Sequence, residues 1–158
     1  MASKIQGLAK LNRKMRAIPE EAKKAAKKAV EDSAYELGNL QYSLAPVDEG
    51  DLRNSIEVTG PGKTTPPYSQ PGGQRTAGEL EAIVTAGNTK VRYAHLVEFG
   101  TAQHVNSGKF AGTQNPGAQA QPFFWPAYRA LRRRLSSRIS RAISNAINQS
   151  AESGGSAP

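Results

Sequence analysis

His95 and Glu98 stand three residues apart, a spacing that a helix would turn onto one face, where a metal ligand pair or an acid–base pair could be built. The rest of the chain does not complete such a site. His104 is the only other histidine and there is no cysteine, and one imidazole with one carboxylate falls short of a zinc ligand set. Asp48, Glu49 and Asp51 form a second acidic group. Acid–base catalysis needs carboxyls in contrasting environments. These three lie in a segment that reads as a capped turn, with Asp48 placed to accept from the amides of one helical turn. Gly60-Pro61-Gly62-Lys63-Thr64-Thr65 ends in the Gly-Lys-Thr of a phosphate loop. Its spacing is wrong, and Pro61 removes a backbone donor that such a loop would use. No serine sits in a Gly-x-Ser-x-Gly elbow. The sequence therefore predicts no catalytic, cofactor-binding or metal-binding residue, and a protein that is not an enzyme.

Its aromatic residues point elsewhere. Only 6% of the chain is aromatic, yet half of these residues, Tyr93, Phe99, Phe123, Phe124 and Trp125, fall in two short segments, 93–101 and 121–127. A tract rich in Gly, Gln and Asn separates them and is expected to be mobile in the free protein. Aromatic side chains are the usual anchors of protein interfaces. Tyr68, Phe99, Phe110, Phe123 and Trp125 are therefore interface candidates, with Arg132, Arg133 and Arg134 beside them. Phe124 and Trp125 have a second reading as core residues, and Phe123 has it less strongly.

The elements that must position these residues follow from periodicity. Residues 3–44 read as helix, with a break allowed at Pro19 because proline suits a first turn. Ile5, Leu8, Leu11, Met15 and Ile18, then Ala22, Ala25, Ala29, Ser33, Leu37, Leu40 and Leu44, make one stripe at steps of three or four. Ala45-Pro46 ends it. Ile56-Glu57-Val58 alternates like a half-buried strand, and 79–86 reads as another. Residues 60–78 hold four prolines and five glycines and read as a long loop or an open hairpin tip. Val91–Phe99 suits a strand or a short helix; the spacing favours a helix closed by a left-handed Gly100. The last helix runs from about 122 to 147, with Ala127, Leu131, Leu135, Ile139, Ile143 and Ile147 on one face and six arginines around the rest.

At 158 residues and 37% hydrophobic content the chain suits one domain, over 1–150, with a flexible tail at 151–158. No apolar run is long enough to cross a bilayer, and the N-terminus has no apolar signal core, so a soluble cytosolic product is expected. The net charge of +8 gathers at the ends: residues 1–44 carry nine Lys or Arg against five acids, and 122–158 carry six Arg against one Glu. Such ends suit an acidic partner, either protein or nucleic acid. Non-specific nucleic-acid binding through the basic C-terminal helix is the alternative function.

Three segments occur in an order that resembles a known family. They are Leu44-Ala-Pro-Val-Asp-Glu-Gly-Asp-Leu-Arg-Asn-Ser-Ile56, then Tyr93-Ala94 with Val97-Glu-Phe-Gly-Thr101, then Gln121-Pro-Phe-Phe-Trp-Pro-Ala127. With the long helix before them, they are similar to the tail-component family named after protein 10 of phage HK97, and the resemblance spans residues 3–147. It implies an α+β fold: a small, mostly antiparallel sheet flanked by a long N-terminal and a long basic C-terminal helix, with two long loops. It implies a virion part made in the host bacterial cytoplasm, a ring at the head–tail junction that ends the tail tube and joins it to the head connector. Its partners would be further copies of itself, six by tail symmetry or twelve in a neck ring, the tail tube protein and the head-completion protein. No cofactor and no membrane are implied. A DNA conduit disfavours attractive walls, which turns Arg132, Arg133 and Arg134 toward protein or the outer surface, while non-specific contact with packaged DNA stays open.

Overall fold

The computed structural model describes residues 20–153, and the helix expected over 3–19 lies outside them. The first helix, α1, runs Glu20–Leu44. Glu20 and Glu21 sit at its positive end, and Pro46 lies just beyond its last turn. Its buried edge is Ala22, Ala26, Ala29, Ser33, Ala34, Gly38 and Gln41. This differs from the expected stripe: Ala25, Leu37 and Leu40 are only half-buried and Leu44 is exposed. Close approach selects small side chains for the contact line and moves the leucines to its flanks. At Gly38 an added Cβ would lie 2.9 Å from Val58 Cγ2, so the glycine admits the sheet against the helix.

A short helix, α2 (Asp51–Asn54), leads into β1 (Glu57–Thr59), which pairs antiparallel with β2 (Ile83–Thr85) in the register Glu57↔Thr85, Val58↔Val84, Thr59↔Ile83. Gly50, not Asp48, occupies the position before α2, and no side chain caps that helix. The strand expected over 79–86 is shorter because Glu81 instead closes a turn, accepting from the Gly78 amide at 3.0 Å. Residues 60–78 form an open hairpin. Ala77 N donates to Lys63 O and Thr65 N to Arg75 O, both at 2.8 Å, and Gln70 returns beside Ala86.

Helix α3 (Ala94–Phe99) follows and ends at Gly100, whose φ of 72° is paired with an extended ψ of 179° and is not the left-handed cap expected. Next comes a hairpin arm where mobility was expected. Thr101 pairs with Ala118 at its base, β3 (His104–Val105) pairs with β4 (Gln114–Asn115), and a 3-10 turn spans Gly108–Phe110. The final helix, α4, runs Phe124–Ser153, past both the expected end at 147 and the expected tail boundary at 150.

These elements make an α+β fold in which α1 packs along α4, with the β1–β2 sheet against α1. The apolar cluster is Ala45, Leu52, Ala86, Val91, Ala94, Phe123 and Phe124, with Ile56, Val97 and Trp125 at its edge. Burying one Phe side chain contributes about 1.5–3 kcal/mol. Phe123 and Phe124 therefore fasten the start of α4 to the helix α3 region.

Candidate assembly interface

Several polar residues in the three sequence segments are held by the fold itself. The C-terminal end of α1 has no basic residue in its last turn. Arg53 supplies one from α2: its Nε donates to Ala45 O at 2.8 Å, and the guanidinium also reaches Ser43 O at 3.4 Å. A cation there meets the negative end of the helix. Ser55 Oγ donates to Leu52 O at 2.7 Å and accepts from Gly87 N at 3.0 Å, which ties α2 to the end of β2. Asp51 takes Lys90 at 2.8 Å, and this hydrogen-bonded carboxylate holds the Lys90 ammonium above the usual lysine range.

Glu98 does the matching work at the other long helix. The first turn of α4 has no acidic residue. Glu98, only 6% exposed, accepts from Phe123 N at 2.7 Å and Phe124 N at 2.9 Å through Oε2, and from Trp125 N at 3.1 Å through Oε1. The next residue is Pro126, which has no N–H. Glu98 and Pro126 between them account for the open amides of the helix start. Gln41, fully buried on α1, donates to Phe124 O at 3.2 Å and adds a third tie to this junction. The His95–Glu98 spacing thus belongs to a helix cap, with His95 left exposed. The missed signal was an α4 start, Pro-Phe-Phe-Trp-Pro, without a capping side chain of its own. Among the described residues no cluster of three His, Asp or Glu could hold a metal ion, and no helix is long and apolar enough to cross a membrane.

With these groups occupied, the exposed apolar side chains remain. Phe110 is 70% exposed and Phe99 68%. Leu96, Tyr93 and Val105 are exposed nearby in sequence. Phe110 stands on a braced turn: Asn106 N donates to Thr113 O, Thr113 Oγ1 to Phe110 O, and Asn106 Nδ2 to Thr113 Oγ1. No residue from Ala102 to Gln114 is buried. The arm is held to the domain at its base, where an added Cβ on Gly100 would lie 2.6 Å from Ala118 O and one on Gly117 2.3 Å from Thr101 O. Tyr68 is exposed at φ 61°, uncommon for a residue with a side chain, and the Arg92 guanidinium lies 3.8 Å from its ring centroid.

The other candidates divide. Phe123, 1% exposed, fills the core of the fold, and Trp125 is half-buried, stacked edge to face between Phe124 and Tyr128. The three neighbouring arginines do not act as one patch. Arg134 pairs with Glu36 of α1 at 3.1 Å and Arg138 joins the same carboxylate, which pins α4 to α1. Arg132 and Arg133 are exposed and take part in none of the ion pairs found among the described residues.

No curated protein and no solved structure matches the chain. A family model described as bacteriophage HK97-gp10 tail-component matches residues 9–100. The match takes in α1 through α3 and ends at the base of the arm, short of the 121–127 segment. It covers more than half of the chain, which therefore belongs to this family of structural bacteriophage tail components.

Proposed function

We propose that the protein forms a homo-oligomeric ring at the head–tail junction of the phage particle, ending the tail tube and joining it to the head connector. The observation that carries this reading is the arm between Thr101 and Ala118, which is fully hydrogen-bonded at base and turn yet carries its apolar side chains into solvent. Ordered surface that buries nothing within its own subunit suits a partner. Tyr68 with Arg92, Phe99 and Phe110 are the contact residues this reading uses, with Arg132, Arg133 and the exposed edge of Trp125 on the α4 side. Phe123 and Arg134 hold the subunit together beneath them. Gold labelling of this chain in intact virions tests the position. Label between head and tail is expected; label along the shaft or at the distal tip overturns it.

A second reading rests on a specific observation. Arg129, Arg132 and Arg133 are exposed on α4, and none of the ion pairs found among the described residues uses them. They would suit the phosphates of DNA held non-specifically. A steep fall of DNA affinity with salt in the purified protein, lost in the Arg132→Gln/Arg133→Gln variant, would favour this reading.

A further inference from the structure

Beside Glu98 lies an apolar pocket of about 260 Å³, floored by Ala86, Ala94, Phe123 and Phe124 and rimmed by Pro71 and Phe99. It is smaller than the usual 300–1,000 Å³ of a ligand site. An apolar cavity of about 150 Å³ already holds a benzene ring, so the pocket has room for one aromatic side chain. Phe110 is the most exposed large apolar residue among those described, and it is braced outward at the tip of the arm.

Phe110 does not reach the pocket of its own subunit along the arm. The arm leaves α3 at Thr101, next to the pocket rim at Phe99; its extended stretch to Asn106 spans about 17 Å at about 3.3 Å per residue, and the turn that carries Phe110 lies beyond it. A domain of this size has a radius of gyration of about 15 Å, so the tip reaches well into the space of a neighbouring subunit. Charge agrees with this. Lys109 precedes Phe110 and is exposed. Tyr93, just before α3, and Val97 on it border a cleft lined by Asp48 and Glu49; Asp48 and Glu49 take part in none of the ion pairs among the described residues, and Glu49 adds to the field that favours the charged Lys90. The pocket lies on the Ala94–Glu98 side of the same short helix.

We propose that Phe110 of one subunit seats in the pocket beside Glu98 of the next copy of this chain, with Lys109 turned toward that copy's Asp48 and Glu49. This rests on the ring reading above and gives its joint. Knob and pocket lie on different parts of one chain, so the contact is head-to-tail and closes into a ring when its rotation closes. The partner's aromatic ring would lie over Phe123 and Phe124, the residues that Glu98 caps, so a docked neighbour would press on the start of α4.

The chain has no cysteine, which makes cross-linking clean. An Ala111→Cys/His95→Cys chain, which keeps Phe110 and puts one thiol beside it and the other at the pocket, treated with a short bismaleimide should give a ladder of covalent oligomers on a denaturing gel. A mixture of the two single variants should stop at the heterodimer. Independently, Phe110→Ser should raise the concentration for half-assembly at least about thirtyfold, the loss of one interface hot spot, while Phe110→Leu keeps most of the assembly. Native mass spectrometry of the unmodified protein separates the two ideas. Closed oligomers from the unmodified chain, with Phe110→Ser assembling equally well and no ladder, overturn the joint and leave the ring. A chain that stays monomeric both free and in disrupted tails overturns both.

Discussion

Glu98 is the residue on which the start of α4 depends most. Its carboxylate serves three amides at once. Glu98→Ala is expected to cost about 3 kcal/mol, since buried donors that lose a charged acceptor are expensive. For a chain of this length that lowers Tm by about 6–12 °C. Glu98→Gln keeps one carbonyl acceptor and loses the charge at the helix start, so roughly half that fall is expected. Thermal unfolding followed by circular dichroism gives both numbers, and an unchanged Tm in Glu98→Ala would remove the cap from the account. Tyr68 is the opposite kind of residue. A non-glycine residue at φ 61° costs about 1–2 kcal/mol, while an exposed cation–π contact returns only about 0.5–1 kcal/mol. Tyr68→Gly should therefore leave the subunit as stable as before, or slightly more so, while weakening assembly. A variant that loses stability and assembles normally would show that Tyr68 serves the fold alone.

At the scale of elements, the fold is made by two helix-end clips and one close contact. Arg53 closes the end of α1, Glu98 opens α4, and Gly38 lets the sheet lie on α1. Gly38→Ala gains about 1 kcal/mol of helix propensity, but its Cβ meets a β-branched valine that has little room to rotate. A net loss of about 1 kcal/mol is expected, with Val58→Ala restoring much of it in the double variant. Denaturant unfolding of the four proteins in that cycle reads the coupling. The two long helices were legible because their periodicity is local: Leu131, Leu135, Ile139 and Ile143 repeat every fourth residue and are buried or half-buried, while Ile147, the last residue of the expected face, is exposed. The clips were not legible. Glu98 and its first amide partner are 25 residues apart, and nothing near Glu98 in sequence says that a distant helix lacks a cap. The arm was hidden for a related reason. Its Gly, Gln and Asn composition reads as mobile, while its order comes from short side-chain bonds such as Asn106 to Thr113. Of the interface candidates, exposure could be read for Phe110 and Tyr68 from the loops around them. The core position of Phe123 and the Glu36 pairing of Arg134 depend on contacts between distant segments.

For the whole molecule, the family match and the interior chemistry meet at the base of the arm. Residues up to Gly100 carry the family pattern, and Glu98 joins that part to α4. The arm between them is separable from the fold on three grounds. No side chain from Ala102 to Gln114 is buried. Thr101 and Ala118 already pair in both directions, at 2.9 and 3.1 Å. Gln121 N donates to Val97 O at 2.8 Å and holds the chain in place before α4. Replacing residues 102–117 by Asn-Gly, a two-residue turn suited to antiparallel neighbours, should therefore leave circular dichroism unchanged and Tm within about 2 °C, less than the effect of 1 kcal/mol. The same chain should fail to form closed oligomers in native mass spectrometry and fail to complete tails in an assembly reaction that the full chain rescues. A shortened chain that unfolds would make the arm part of the domain. One that folds and still completes tails would move the assembly surface to Tyr68, Arg92 and the exposed side of α4.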